Sequence, residues 1–245
     1  MTIKLAIPSK GRLMEETFEW FQARGVRLLR TGSDREYAAE ISGINGVELV
    51  LLSASEVPRE LAAGRIQLGI TGTDLMHENI VDWSSKVDAL AELGFGDANL
   101  ILAVPTCWVD VETLDDFDSI CAAFRENHGF RLRIATKYHR LVREFLKDAG
   151  VADYQIVDSQ GATEGTVKNQ TAEAIADITS SGQTLMENHL KTLDDGLILK
   201  SQATLYGLPV DMLKGPQKDK YMAFLEKLAL DLMLVQLLIP MEYLF

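Results

Sequence analysis

Cysteine is scarce: only Cys107 and Cys121 occur in 245 residues, far apart and in no C-x-x-C spacing. That excludes a disulfide framework and a cysteine-based zinc site, and it suits a reducing compartment. Long hydrophobic runs are missing too. The most apolar stretch, FLEKLALDLMLVQLLIPMEYLF, is broken by Glu226, Lys227, Asp231 and Pro240, so no uncharged run reaches membrane-spanning length. The opening MTIKLAIPSKGRLMEE is too briefly apolar and too soon charged for a signal peptide. The expectation is a cytoplasmic protein with no membrane partner. Positive charge is also in short supply, with 24 Lys and Arg against 36 Asp and Glu and a net charge of −12. Such a surface repels nucleic acid and anionic membrane. A small anionic ligand is compatible with it only where cations and backbone N–H groups gather locally.

Several motifs are absent as well. His77, His128, His139 and His189 show no metal-ligand spacing, so no protein-held metal is expected. There is no G-x-S-x-G elbow and no G-x-x-x-x-G-K-[ST] loop, and GFGDAN lacks the third glycine of a dinucleotide fingerprint. Neither cysteine has a local partner for nucleophilic work.

What is present is a β-α rhythm in a chain long enough for one large or two small domains. Strand-like runs at Ile3–Ile7, Val47–Leu52, Ile66–Gly72, Ala98–Val104, Leu132–Thr136, Tyr154–Val157 and Glu173–Ile178 alternate with helix-like stretches. Among the latter are Leu13–Arg24, a segment capped by Ser53 or Ser55 that stops at Gly64, one ending near Gly129, and HRLVREFLKDAG. The rhythm argues for α/β layers with mainly parallel strands. The strands are many for one sheet, so two α/β lobes with a cleft between them fit, the ligand sitting at strand C-termini. The crossings, near ELGFGDANL and DITSSG, assign 1–97 plus 180–206 to lobe I and 98–179 to lobe II, with 207–245 a connector and an apolar helix. The stretch Leu205–Lys220, with Gly207, Pro209, Gly215 and Pro216, reads as connector. Tyr221–Ile239 is apolar nearly all round and needs burial on its own core or on another subunit.

Four strand ends carry small polar turns: Pro8–Arg12, Thr71–Asp74, Ala135–Arg140 and Thr179–Thr184. Each hands a strand to a helix, whose free N–H groups favour an anion. Lys10, Arg12, Lys137 and Arg140 add fixed positive charge. One such turn is ordinary cap chemistry; four together, with cations, point to a phosphate-bearing ligand. The substrate-binding candidates are Thr71, Gly72, Lys137, Thr179, Ser180, Ser181, Gly182, Gln183 and Thr184. The catalytic candidates are Lys10, Arg12, Glu164 and Asp177. Glu164, between Gly161 and Gly165, is equally readable as an acid at a helix start.

PSKGRL, GRIQLGITGTDL, LGFGDANLILAVP, RIATKYHRLVREF and the stretch Gly161–Leu185 together resemble the ATP phosphoribosyltransferase family, over about Ile3 to Leu205. In the last of these, Glu164, Ala172, Ile175, Asp177, Ile178, Ser181, Gly182, Thr184 and Leu185 match the family pattern, whereas Gln170 stands at its glycine and Val167 at its proline. The resemblance implies a two-lobed, periplasmic-binding-protein-like α/β fold with the active site in the interlobe cleft. It implies transfer of phosphoribosyl from phosphoribosyl pyrophosphate (PRPP) to N1 of ATP, the first step of histidine biosynthesis. Mg²⁺ would be substrate-bound, through pyrophosphate. The chain ends before a histidine-binding regulatory domain, as in the short form. That form implies a partner subunit similar to histidyl-tRNA synthetase, with a homodimer inside the hetero-oligomer. Thr179–Thr184 would take the 5′-phosphate, Asp177 and Glu164 the ribose or its developing charge, and Lys10, Arg12 and Lys137 the polyphosphates. A non-catalytic anion sensor of the same fold and a degenerate paralogue are the alternatives.

Overall fold

Continuous burial marks the first strand, β1 (Ile3–Pro8), where five of six residues are buried, as a central parallel strand requires. The computed structural model describes residues 2–30, 39–159, 161 and 163–230. After β1 come α1 (Gly11–Ala23), β2 (Arg27–Arg30), β3 (Ala39–Ser42), β4 (Val47–Leu52), α2 (Val57–Ala62), β5 (Leu68–Gly72), α3 (Thr73–Asn79) and β6 (Asp88–Glu92). A second run follows: β7 (Ala98–Pro105), α4 (Leu114–His128), β8 (Leu132–Thr136), α5 (His139–Asp148), β9 (Tyr154–Asp158), α6 (Gly165–Lys168), β10 (Ala174–Thr179), α7 (Gln183–Glu187) and β11 (Leu190–Ser201). The chain closes with β12 (Ala203–Gly207) and α8 (Pro216–Lys227).

Helix α4 shows how local sequence sets a boundary. Thr113 accepts from the Asp116 N–H, and the Asp116 carboxylate accepts from the Thr113 N–H, a reciprocal capping box. The Thr113 hydroxyl, donating to the Asp116 carboxylate at 2.8 Å, together with the Glu112 and Thr113 N–H groups, holds that carboxyl below its usual range. Gly129 ends the helix at φ 75°, which a residue with a Cβ adopts only at a cost.

The chain divides into two compact lobes. Lobe I comprises residues 1–96 and 202–245, and lobe II residues 97–201. The sheet of lobe I has the order β4-β1-β5-β12-β6 and that of lobe II β11-β7-β10-β8-β9, with β2 and β3 forming a separate ribbon. The expected parallel character holds for the pairs β1–β4, β1–β5, β8–β10 and β8–β9. The other four pairs in the two large sheets are antiparallel, because β12 runs against its neighbours in lobe I and β7 against its own in lobe II. Each reversed strand is the first one after the chain crosses into its lobe.

The return crossing lies at residue 202, not 180 as the sequence suggested. The cause is β11, which follows the Thr179–Thr184 turn and pairs along β7, keeping residues 180–201 in lobe II. Leu205–Gly207, expected to be connector, is instead the end of β12, an interior strand between β5 and β6. Alternation misses it because all five residues of β12 are buried.

Helix α8 belongs to lobe I. Tyr221, Phe224, Leu225 and Leu228 lie in its hydrophobic core, Phe224 stacking on Phe21 of α1 at 6.4 Å between centroids. The Tyr221 hydroxyl donates to the Leu208 carbonyl at 3.0 Å. The far half of the apolar stretch, residues 231–245, lies outside the described residues. Phe224 is 2% exposed. Truncating it to alanine should therefore lower the unfolding free energy by about 3–5 kcal/mol, transfer and cavity costs together. Guanidinium unfolding of Phe224→Ala measures this; a loss below about 1 kcal/mol would mean that α8 does not dock on lobe I.

Candidate active site

In lobe II, β8 and β10 run parallel with Ala174 opposite Ile134 and Ile175 opposite Ala135. Two residues further on stand Asp177, still in β10, and Lys137, just past the end of β8, so the register brings them level. The Lys137 ammonium lies 3.3 Å from Asp177 Oδ1. The same oxygen accepts from the Ile178 N–H at 2.8 Å, and Asp177 is only 7% exposed. A carboxylate that deep is costly unless paired, and here it has both a cation and an N–H. Lys137 stays half exposed, open to a second anion.

The next turn is built from its own side chains. Thr179 Oγ1 accepts from the Gly182 N–H at 2.9 Å, and Ser181 Oγ from the Gln183 N–H at 3.4 Å. Gly182 at φ 72° turns the chain into α7. Ser180, Ser181, Gln183 and Thr184 are exposed. Beyond Gln183, whose N–H meets Ser181 Oγ, the first N–H groups of α7 have no acceptor within the helix, and the Gly182 N-cap has no side chain to offer one. Gln183 itself turns along the helix, its amide donating to Glu187 at 2.8 Å.

Glu164 stands at the start of α6, in a segment fixed on its inner side by Ser159 and Thr163. These two are buried, their hydroxyls 2.9 Å apart. Two residues past the end of α6 the chain reaches Gln170, at φ 57°. The N–H of Gln170 donates to the Val167 carbonyl and that of Thr171 to the Thr166 carbonyl, both at 3.0 Å. This is the paired bonding of a left-handed helix end, where glycine is the favoured residue. The backbone thus keeps the glycine-type path although a glutamine occupies it. Arg133 holds it there, donating to the Gln170 carbonyl at 3.0 Å and to both Glu173 oxygens at 2.6 and 3.2 Å.

In lobe I the strand ends of β4, β1 and β5, neighbours in the sheet, carry three turns. The Ser9 N–H donates to the Leu52 carbonyl at 2.8 Å and Thr71 Oγ1 to the Ala54 carbonyl at 2.7 Å, lacing the turns together. Lys10 is extended and exposed at the head of α1. Arg12, largely exposed, pairs with Glu16 at 3.3 Å. Gly72 precedes α3 with no side-chain cap on that helix. Of the described helices only α4 has such a cap, so open N–H groups alone do not single out the candidate turns; cations mark two of them, Pro8–Arg12 with Lys10 and Arg12 and Ala135–Arg140 with Lys137 and Arg140.

The sequence of residues 53–229 matches the family described as ATP phosphoribosyltransferase. The chain belongs to that family. An ATP phosphoribosyltransferase of Cereibacter sphaeroides is 68% identical over 206 residues, covering 84% of this chain and 87% of that one. The solved ATP phosphoribosyl transferase (HisG:HisZ) complex from Thermotoga maritima contains a chain with a TM-score of 0.68 at 25% identity, the match covering 93% of this chain and 97% of that one. A periplasmic sulfonate-binding protein of Methylobacillus flagellatus matches with a TM-score of 0.51 at 14% identity, covering 93% of this chain and 68% of that one, a likeness of fold. The two-lobed α/β fold expected from the sequence is the one found.

Within the family frame, the residue expectations fare unevenly. Lys137 and Asp177 meet directly, and the Thr179–Thr184 turn presents its hydroxyls. Thr71 does not offer a side chain: it is fully buried and its hydroxyl is spent on Ala54. Arg140 is engaged by Glu144 at 2.7 Å. Ser53 and Ser55 cap nothing. Glu56 reaches back instead, accepting from the Ser53 hydroxyl and N–H at 2.7 and 3.0 Å, bonds that hold its carboxyl below the usual range. The Arg133–Glu173 clamp escaped the sequence reading, since 40 residues separate its partners and only the β8–β10 pairing joins them.

Replacing Gln170 with glycine should relieve the left-handed backbone cost. After the extra entropy glycine brings to the unfolded chain, the variant should gain about 0.5–1 kcal/mol. Comparison of denaturant midpoints checks this; a loss of stability would mean that the glutamine side chain contributes contacts outweighing the strain.

Proposed function

We propose that the chain is the catalytic subunit of a short-form ATP phosphoribosyltransferase of histidine biosynthesis. The adenine N1 of ATP attacks C1 of PRPP, the C1–oxygen bond to pyrophosphate breaks with inversion, and phosphoribosyl-ATP and pyrophosphate are released. The observation that carries this reading is the buried Asp177 carboxylate paired with Lys137, directly ahead of a turn that exposes hydroxyls at an uncapped helix start. An aspartate so placed suits the ribose hydroxyls and the positive charge that develops at C1 as the bond breaks. The Thr179–Thr184 turn suits the 5′-phosphate.

The remaining groups take the roles their charge allows. Glu164 supports the ribose. Lys10 and Arg12 face the pyrophosphate of PRPP or the triphosphate of ATP, and Lys137 the other of the two polyphosphates. Gly72 leads into α3, whose first N–H, that of Thr73, is held by the Gln202 carbonyl at 3.1 Å, with Thr71 fixing the turn beneath. Positioning and charge stabilisation account for such a reaction, and no protein nucleophile is required. Among the described residues no three His, Cys, Asp or Glu side chains gather to hold a metal. Mg²⁺ would arrive with the pyrophosphate as part of the substrate and offset the leaving group's charge. A regulatory subunit similar to histidyl-tRNA synthetase is the fitting partner, since the Thermotoga maritima match is a HisG:HisZ complex. We place a homodimer of this chain within that hetero-oligomer, in the cytoplasm.

Pyrophosphate release from ATP and PRPP, with and without the regulatory subunit, tests the reading directly. Absence of release in both conditions would sink it. Thr184→Val deletes one exposed hydroxyl at nearly constant volume. Losing a hydrogen bond to a charged phosphate should cost about 1.5–3 kcal/mol, or roughly 10- to 100-fold in the PRPP Kd. An unchanged Kd would remove Thr184 from the phosphate cradle. Free histidine should give no saturable heat with this chain alone, control passing through the partner; micromolar binding in isolation would place the control site on this chain.

A further inference from the structure

β8 and β9 end side by side, Thr136 opposite Asp158 in the parallel register. His139, the first residue of α5, sits over both ends. Its Nε2 lies 3.1 Å from the Thr136 carbonyl and 3.2 Å from Asp158 Oδ1. Both neighbours are acceptors, so Nε2 carries the proton whether the ring is neutral or charged, and Nδ1 takes any second proton. The Thr136 carbonyl also accepts from the Ser159 N–H at 3.1 Å. Ser159 in turn donates to Thr163, whose carbonyl accepts from the Thr166 hydroxyl at 2.6 Å. One continuous set of bonds therefore runs from the start of α5, two residues after Lys137, to the segment that presents Glu164.

The pair adds little as a stabilising element. The His139 and Asp158 side chains are 36% and 53% exposed, and ion pairs so exposed contribute little to folding. Its location is what distinguishes it: it joins two segments that each carry a group assigned to substrate. We propose that His139 is a positioning residue for PRPP, strapping the Lys137 end of α5 to the root of the Glu164 segment through Asp158 and Thr136. This rests on the assignment of Lys137, Asp177 and Glu164 to substrate binding. Without the strap, the two segments move independently, and PRPP must fix their relative placement when it binds.

The test is PRPP affinity, measured by calorimetry on the full chain. KM and kcat come from the chain with its regulatory subunit, and melting temperature from the full chain. His139→Leu removes the N–H donor, whereas His139→Gln carries an amide N–H to nearly the same point. The leucine variant should weaken PRPP binding about three- to five-fold, the span open to an exposed pair, with kcat within about two-fold. The glutamine variant should restore affinity. Asp158→Asn in combination with His139→Leu should add less than the two separate losses. Wild-type PRPP affinity in His139→Leu would overturn the proposal. So would equal impairment of the leucine and glutamine variants with a lowered melting temperature, which marks packing alone. Lys137→Met and Glu164→Gln separate the two levels. If neither weakens PRPP, the site assignment falls and the strap with it; if both do while His139→Leu does not, only the strap falls.

Discussion

The pairing of Asp177 with Lys137 is the constraint around which lobe II is organised. A carboxylate at 7% exposure loses most of its hydration, a cost of several kcal/mol that only a nearby cation and donors offset. The cation comes from the end of a different strand, so β8 and β10 must be neighbours, parallel and in one register. A slip of one residue would turn Asp177 to the opposite face and leave Lys137 with nothing. The sheet order β11-β7-β10-β8-β9 can be read from this requirement outward. β10 holds the centre with the aspartate, β8 lies on one side with the lysine, and on the other β7 reverses direction.

The same pairing bears on how a chain with a net charge of −12 would take the anionic ligands proposed for it. Bulk charge opposes them, so attraction has to be local and short-ranged, within a Debye length of about 8 Å at physiological salt. Lobe II meets this with one half-exposed ammonium and a turn of hydroxyls, and lobe I with Lys10 and Arg12 at the head of α1. Arg12 leans on Glu16 and Lys137 on Asp177. A cation that already has a partner is held in place before the ligand arrives, at the price of some of its charge.

Much of this was legible in the sequence, and the exceptions have physical causes. Strands with apolar cores and polar turn residues at their ends were visible because burial and turn chemistry are both written locally; β8 is found at Leu132–Thr136 as expected. β12 was invisible as a strand because it is buried on both faces and lacks alternation, and its glycine read as a turn signal. β11 was missed for the opposite reason: its Asp194–Gly196 interruption makes an irregular register against β7. That single strand moved the return crossing by some twenty residues. At the site, the hydroxyl-rich Thr179–Thr184 turn was visible from its side-chain types, but nothing local could tell that Thr71 would spend its hydroxyl on Ala54. A hydroxyl's direction is decided by the neighbouring strand end, which is tertiary information.

Gln170 shows the same division of labour from the other side. The position demands a left-handed backbone whatever residue fills it, because two hydrogen bonds of the helix end require it. Glycine meets the demand by having no Cβ. Glutamine meets it at a cost of about 1–2 kcal/mol that other contacts must offset. Those contacts are visible: Arg133 grips the Gln170 carbonyl with the hand that also holds Glu173, and Glu173 in turn accepts the Arg133 N–H at 2.8 Å. The conformational instruction has moved from the residue to its surroundings. The turn is held by a salt-bridged clamp between β8 and the entrance to β10, the two strands that lead to Lys137 and Asp177.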